Sequence, residues 1–198
     1  PHFVDVHASD GYYTVKYDFE NETSSVQALG QLLNKNQKLV VGLGDSITEN
    51  YSSFIHHFCF ASGGALQYYN NQGVDGNTST QVLARVANLP NEANLVTLMC
   101  TTNDVSQGIS IATHTANIIS IVGNLRSRGI DVMGILAPPR DATAAEAITT
   151  SEFNQSDWVT YQNLGVPCFN PWRLMADSID GSWVANFSQD GIHPNPRG

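Results

Sequence analysis

Apolar runs and amphipathic stretches alternate along most of this chain. Lys38–Leu43 (KLVVGL), Ala65–Asn71 (ALQYYNN), Asn94–Cys100 (NLVTLMC), Ile130–Ala137 (IDVMGILA) and Val166–Pro171 (VPCFNP) read as strands. Between them, Thr78–Leu89, Ser110–Gly129 and Thr149–Gly165 have helical spacing, and a further helix is expected to begin near Thr48–Tyr51. In the second of these helices Ile111, Ile118, Ile119, Val122 and Leu125 supply the apolar positions, and Gly129 can end it. The front is different. His2–Phe19 predicts two short strands about the Asp10-Gly11 turn, and Ser24–Asn36 predicts a short helix with Val26, Leu29, Leu32 and Leu33 in phase. We therefore expect residues 1–36 to form an accessory hairpin and helix, and residues 37–198 to form an α/β domain. Its alternation implies a parallel sheet covered on both faces, with ligands bound outside the carboxyl ends of the strands.

Composition narrows the classes of function. The 198 residues carry 18 acidic against nine basic side chains, a net charge of −9, and the cations nowhere cluster. That disfavours nucleic acid and anionic membrane surfaces as partners. No apolar run is long enough to span a bilayer. Cys59, Cys100 and Cys168 lack metal-ligand spacing and are expected to be free thiols, the first two buried. The start at Pro1 and the ending HPNPRG lead us to expect a domain of a longer polypeptide. N-x-[ST] sequences occur at Asn21, Asn50, Asn77, Asn154 and Asn186.

Polar clusters follow the strands. Gly42–Thr48 (GLGDSIT), Asn71–Ser79 (NQGVDGNTS), Thr101–Asp104 (TTND) and Asp190–Asn195 (DGIHPN) all fall at one predicted sheet edge. They hold a hydroxyl, flexible glycines, an amide, carboxylates and an imidazole, which are the parts of an acyl-transfer site. Ser46 is either a helix N-cap or a nucleophile. As a nucleophile it needs a base, which His193 can supply, and the base needs an acceptor at its other ring nitrogen, which Asp190 can supply from three residues upstream. The Ser46 and Gly76 N–H groups with the Asn103 amide are candidate oxyanion donors.

Order and spacing of these blocks resemble the SGNH hydrolases, or GDSL esterase/lipase family, over about Lys38–Asn195. The resemblance implies a three-layer α/β/α sandwich with a mostly parallel, flavodoxin-like sheet. It assigns Ser46, Asp190 and His193 to the triad, Ser46, Gly76 and Asn103 to the oxyanion hole, and requires no metal or cofactor. Thr101 departs from the pattern, standing where the family has glycine, and the helix usual after the last block is absent.

Other polar residues have plainer expected roles. Thr48 is expected to cap the helix and Asp45 to hydrogen-bond its loop. Asp104 is expected in an Asx-turn and Gly73 in a turn, while His56, His57 and His114 are expected to be structural or solvated. Tyr51, Trp158 and Trp183 offer flat faces to a sugar. The polar loops favour removal of a short acyl group, acetyl above all, from a carbohydrate, and disfavour a long acyl channel. A small ester or acetylated glycan is thus the expected partner, and a bacterial surface protein or phage tailspike the expected setting. Two rivals are an inactive carbohydrate-binding scaffold and an acyltransferase using the same acyl-enzyme.

Overall fold

The computed structural model describes residues 2–8, 11–18, 23–28, 37–50, 54–177, 181–188 and 190–195. The chain divides into two compact units, Pro1–Gln37 and Lys38–Gly198.

In the first unit β1 (His2–Ala8), β2 (Gly11–Asp18) and β3 (Thr23–Ala28) form an antiparallel sheet in that order. The two strands expected at the front are present, with Val4 opposite Val15. Residues 23–28 are a strand where a helix was expected, and Val26 pairs with Val15. The sequence TSSV explains the difference: hydroxyl and β-branched residues are weak helix formers, and β2 offers them an open edge. Leu29, Leu32, Leu33 and Asp10 lie outside the described residues.

The second unit holds five parallel strands in the order β5-β4-β6-β7-β8. They are β4 (Lys38–Gly44), β5 (Leu66–Gly73), β6 (Leu95–Met99), β7 (Asp131–Ile135) and β8 (Cys168–Phe169). This is the flavodoxin-like 2-1-3-4-5 order. Side chains alternate across it. Val41, Leu43, Val96, Leu98 and Val132 meet residues of α3 (Ser79–Arg85), α5 (Ile111–Ser127) and α6 (Ala144–Asn163) on one face. Val40, Leu95, Met99 and Ile135 meet Ile47, Ile55 and Cys59 of α1 (Ser46–Glu49) and α2 (Phe54–Ala61) on the other. Two packed faces explain why β4 and β6 are near-continuous apolar runs. Shorter elements complete the unit: a 3-10 turn at Val86–Asn88, α4 (Thr102–Ser106) and α7 (Trp172–Met175).

Helix details refine the sequence expectations. The buried stripe of α5 is His114, Ile118, Ile121, Val122 and Leu125, whereas Ile119 faces solvent. Helix α6 begins at Ala144, earlier than expected, because the Thr143 side chain caps it by accepting from the Glu146 N–H. Its T-x-x-E start was the signal for this.

Two glycines let α1 lie against the strand ends. A Cβ on Gly44 would stand 2.2 Å from the Met99 carbonyl oxygen, and one on Gly73 would stand 2.2 Å from the Glu49 nitrogen. Gly73 therefore serves close approach rather than the turn expected of it. Both obstacles are backbone, so neither can swing aside. Gly44→Ala should destabilise the domain by about 1–3 kcal/mol or more, seen as a lower midpoint in urea unfolding. An unchanged midpoint would contradict this packing.

Candidate active site

The carboxyl end of β4 lies at the point where strand order reverses, between β5 and β6. Asp45 leaves the strand in an extended conformation and caps α1, its Oδ1 accepting from the Ile47 N–H at 3.1 Å. The cap is thus Asp45 and not Thr48, which is buried inside α1 and whose carbonyl accepts from Asn71 Nδ2 at 2.6 Å. A carboxylate is the better cap because it accepts charge-assisted bonds from free helix N–H groups. Burial pushes the Asp45 carboxyl up to about 7, against the Ile47 N–H and the nearby His193. Ser46 comes next, as the first residue of α1, and carries one of the N–H groups that a helix start leaves unpaired.

A loop near the end of the chain meets Ser46. His193 Nε2 is 2.9 Å from Ser46 Oγ, and His193 Nδ1 is 2.7 Å from Asp190 Oδ2. A carboxylate only accepts, so Nδ1 carries the proton and Nε2 presents its lone pair to the serine hydroxyl. Asp190 Oδ1 also accepts from the N–H groups of Ile192 (2.9 Å) and His193 (2.8 Å). Desolvation works against ionisation, but these bonds and the imidazole outweigh it and hold the Asp190 carboxyl well below the usual range. Ser188 Oγ closes the loop by donating to the His193 carbonyl at 2.7 Å. Asp141, not singled out in the sequence, docks it: its N–H donates to the Gly191 carbonyl at 3.0 Å, and its Oδ2 accepts from the Trp183 N–H at 2.9 Å. Trp183 is buried, a core residue and not an exposed face. Tyr51 lies outside the described residues.

The loop after β5 is strung between α1 and α4. Val74 N–H donates to the Gly44 carbonyl, and Asp75 N–H donates to Glu49 Oε2. On the other side Asn103 Nδ2 donates to the Asn77 carbonyl and Gln107 Nε2 to the Gly76 carbonyl, each at 3.1 Å. Gly76 has φ +71°, the left-handed region that favours glycine. Arg85 clamps the whole edge. Its guanidinium donates to the carbonyls of Gly44 (3.0 Å) and Gln72 (2.8 Å) and to Asn77 Oδ1 (2.9 Å). A single cation in an otherwise uncharged helix is the trace of this role in the sequence. Asn77 and Asn154 have N-x-[ST] contexts, but both side chains are engaged inside the domain, Asn154 in paired bonds with the Ala137 backbone.

Behind α4 sits a buried charge network. His114, fully buried, holds Asp104 Oδ2 at 2.7 Å through Nδ1 and Asp157 Oδ1 at 2.8 Å through Nε2. Asp104 makes no Asx-turn; its carboxylate instead receives the Ser79 N–H at 2.7 Å and the Ser79 hydroxyl at 2.5 Å. Thr101, where glycine was expected, has an ordinary right-handed backbone (φ −89°, ψ −38°), and its hydroxyl donates to Asp157 Oδ2 at 2.8 Å. Glycine's freedom is not needed there. Burial opposes charging of His114, yet the two carboxylates prevail and raise it to about 9.

Protonated His114 stabilises the fold fully below the unfolded value of 6.5, and the contribution is lost as pH rises through about 9. Urea unfolding should show wild type losing on the order of 3 kcal/mol across that window relative to His114→Phe. Parallel pH profiles for the two proteins would contradict the network.

Comparisons with known proteins agree with this architecture. The family model for GDSL-like lipase/acylhydrolases matches residues 43–198. Among solved structures, a GDSL-like lipase from Bacteroides thetaiotaomicron is 21% identical with a TM-score of 0.69, covering 85% of this chain and 88% of that one. The lipase/acylhydrolase from Enterococcus faecalis is 20% identical with a TM-score of 0.67, covering 81% and 89%. A psychrotrophic esterase from Pseudoalteromonas sp. is 17% identical with a TM-score of 0.62, covering 81% and 90%. At such identities the likeness speaks for the fold. No curated protein matches in sequence.

Proposed function

The chain belongs to the GDSL-like lipase/acylhydrolase family and is an ester hydrolase, and from that premise we propose that Ser46, His193 and Asp190 form its triad and that it removes short acyl groups, acetyl above all, from carbohydrate. The observation that carries the triad is the continuous relay from Ser46 Oγ through both nitrogens of His193 to Asp190, at 2.9 and 2.7 Å.

His193 Nε2 takes the Ser46 proton as Oγ attacks the ester carbonyl, and the tetrahedral oxyanion forms. Asp190 holds the Nδ1 proton in place and stabilises the imidazolium. The Ser46 N–H, the Gly76 N–H and the second Asn103 Nδ2 hydrogen are the donors for the oxyanion; the first Asn103 hydrogen is already bonded to Asn77. Collapse breaks the C–O bond, and the imidazolium returns its proton to the departing alcohol. Water then attacks the acyl-enzyme with His193 as base, releasing the acid and restoring Ser46. The bond from Asn103 to the Asn77 carbonyl ties the side-chain donor to the glycine loop, so the two donors are preorganised together.

A short acyl group suits the surroundings. The loops at this edge present Asn, Gln, Thr and Asp, and a long acyl chain would need an apolar channel instead. With p-nitrophenyl acetate, Ser46→Ala and His193→Ala should each lower kcat on the order of 10⁴-fold or more while remaining folded. Asn103→Ala should lower it about 10²–10³-fold, with KM little changed. Wild-type turnover in Ser46→Ala would remove the nucleophile from this scheme. Acetate release from acetylated oligosaccharides should outpace hydrolysis of p-nitrophenyl palmitate; the reverse order would overturn the substrate class.

A further inference from the structure

A cavity lies at the same sheet edge, beyond β7. Its volume is about 490 Å³, within the range of small-ligand pockets. Leu136, just after β7, and Cys168 and Asn170, in and just after β8, form its floor, with α6 and Trp172 of α7 around it. The loop from Leu136 ends at Asp141, which holds the His193 loop through the Gly191 carbonyl, so the cavity and the triad share one connection.

Its described lining residues divide evenly between apolar and polar, and none of them is charged. Leu136, Trp158, Cys168 and Trp172 are the apolar members; Ser151, Asn154, Gln155 and Asn170 are the polar ones. Burial pushes the Cys168 thiol up to about 12, which keeps it neutral. An anion would find no cation among these lining residues, and an acyl chain would leave the buried Asn170 Oδ1 without a partner.

Three of the four polar residues have hydrogen-bonding capacity to offer a ligand. In α6, Thr149, Thr150 and Thr160 donate their hydroxyls back to carbonyls four residues earlier. Ser151 and Gln155, one turn apart on the pocket face, have no such partner among the described residues. Asn154 is engaged at both its Oδ1 and its Nδ2 by the Ala137 backbone, but Asn170 Oδ1 is buried with no hydrogen-bond partner among the described residues. Leaving a buried acceptor unpaired costs about 1–3 kcal/mol, which a ligand hydroxyl would offset. Trp172 packs closely against Gly181, where a Cβ would come 2.9 Å from its ring, and Trp158 keeps 37% of its surface exposed and open to a ligand.

We propose that this cavity is a binding subsite for an uncharged pyranose ring, with Trp158 and Trp172 as apolar walls and Ser151, Gln155 and Asn170 as hydrogen-bonding groups. A pyranose offers one face of C–H bonds to an aromatic ring and a rim of hydroxyls that both donate and accept, the complement of this wall. The subsite extends the esterase reading by holding a sugar unit of the acylated glycan, although its own support is the cavity.

Isothermal titration with cellotriose, xylotriose and triacetylchitotriose tests it on the whole chain. Saturable binding of at least one is expected, retained in Ser46→Ala and in Trp158→Phe. Trp158→Ala, Gln155→Ala and Asn170→Ala should weaken it at least fivefold, with melting curves checked in each. No binding of any of the three by folded wild type would overturn the subsite, as would wild-type affinity in Gln155→Ala and Asn170→Ala. Ester hydrolysis without sugar binding would remove the subsite alone, whereas sugar binding without hydrolysis would remove the esterase reading alone.

Discussion

Ser46 and His193 stand 147 positions apart in the chain and 2.9 Å apart in space. A hydrogen bond of that length tolerates only a few tenths of an ångström of drift, so both partners must be held by rigid elements. On the serine side the rigidity comes from packing. β4 runs between two neighbours, α1 starts at once, and Gly44 and Gly73 let backbone meet backbone where a methyl group would force them apart. On the histidine side it comes from hydrogen bonds. One Asp190 carboxylate takes two backbone N–H groups and the imidazole, and Asp141 fixes the loop against the end of the segment after β7. Neither side has a long element to rely on, which is why so many short-range polar bonds gather there.

Charge inside this domain is arranged around the same edge. Arg85 has three backbone or amide acceptors and ties together the ends of β4, β5 and the glycine loop. His114 sits between two buried carboxylates, and their remaining oxygens are filled by Ser79 and Thr101. Removing one member of such a set leaves another charge buried and unpaired, which is far costlier than the set itself is stabilising. Asp104 follows Asn103 and Thr101 lies two positions before it, so the network fixes the start of α4 from within the core. Asp45 carries the opposite strain, a buried carboxylate with one oxygen capping α1 and the other unpartnered among the described residues.

Much of this was legible in the residues. Five expected strands are present, and the central β4, β6 and β7 were the plainest because a parallel sheet covered on both faces demands apolar runs there. The polar clusters at their ends were legible because chemistry at this edge uses few residue types. What escaped depended on tertiary partners. The segment Thr23–Ala28 pairs as a strand because β2 is beside it, which helical phase alone does not reveal. Asp104 looked like a turn residue because the local sequence hides Ser79 and His114, 25 and 10 positions away. Thr101 looked like a defect only against a glycine pattern; its hydroxyl has a buried acceptor 56 positions on.

The central claim is that His193 activates Ser46 and no other hydroxyl. Reaction with diethyl p-nitrophenyl phosphate tests it directly, because attack forms one Oγ–P bond and releases one p-nitrophenolate. One adduct per chain is expected, mapped by mass spectrometry to Ser46, with labelling in His193→Ala slowed on the order of 10³-fold or more. An adduct on a different residue, or equal labelling rates in the two proteins, would contradict it.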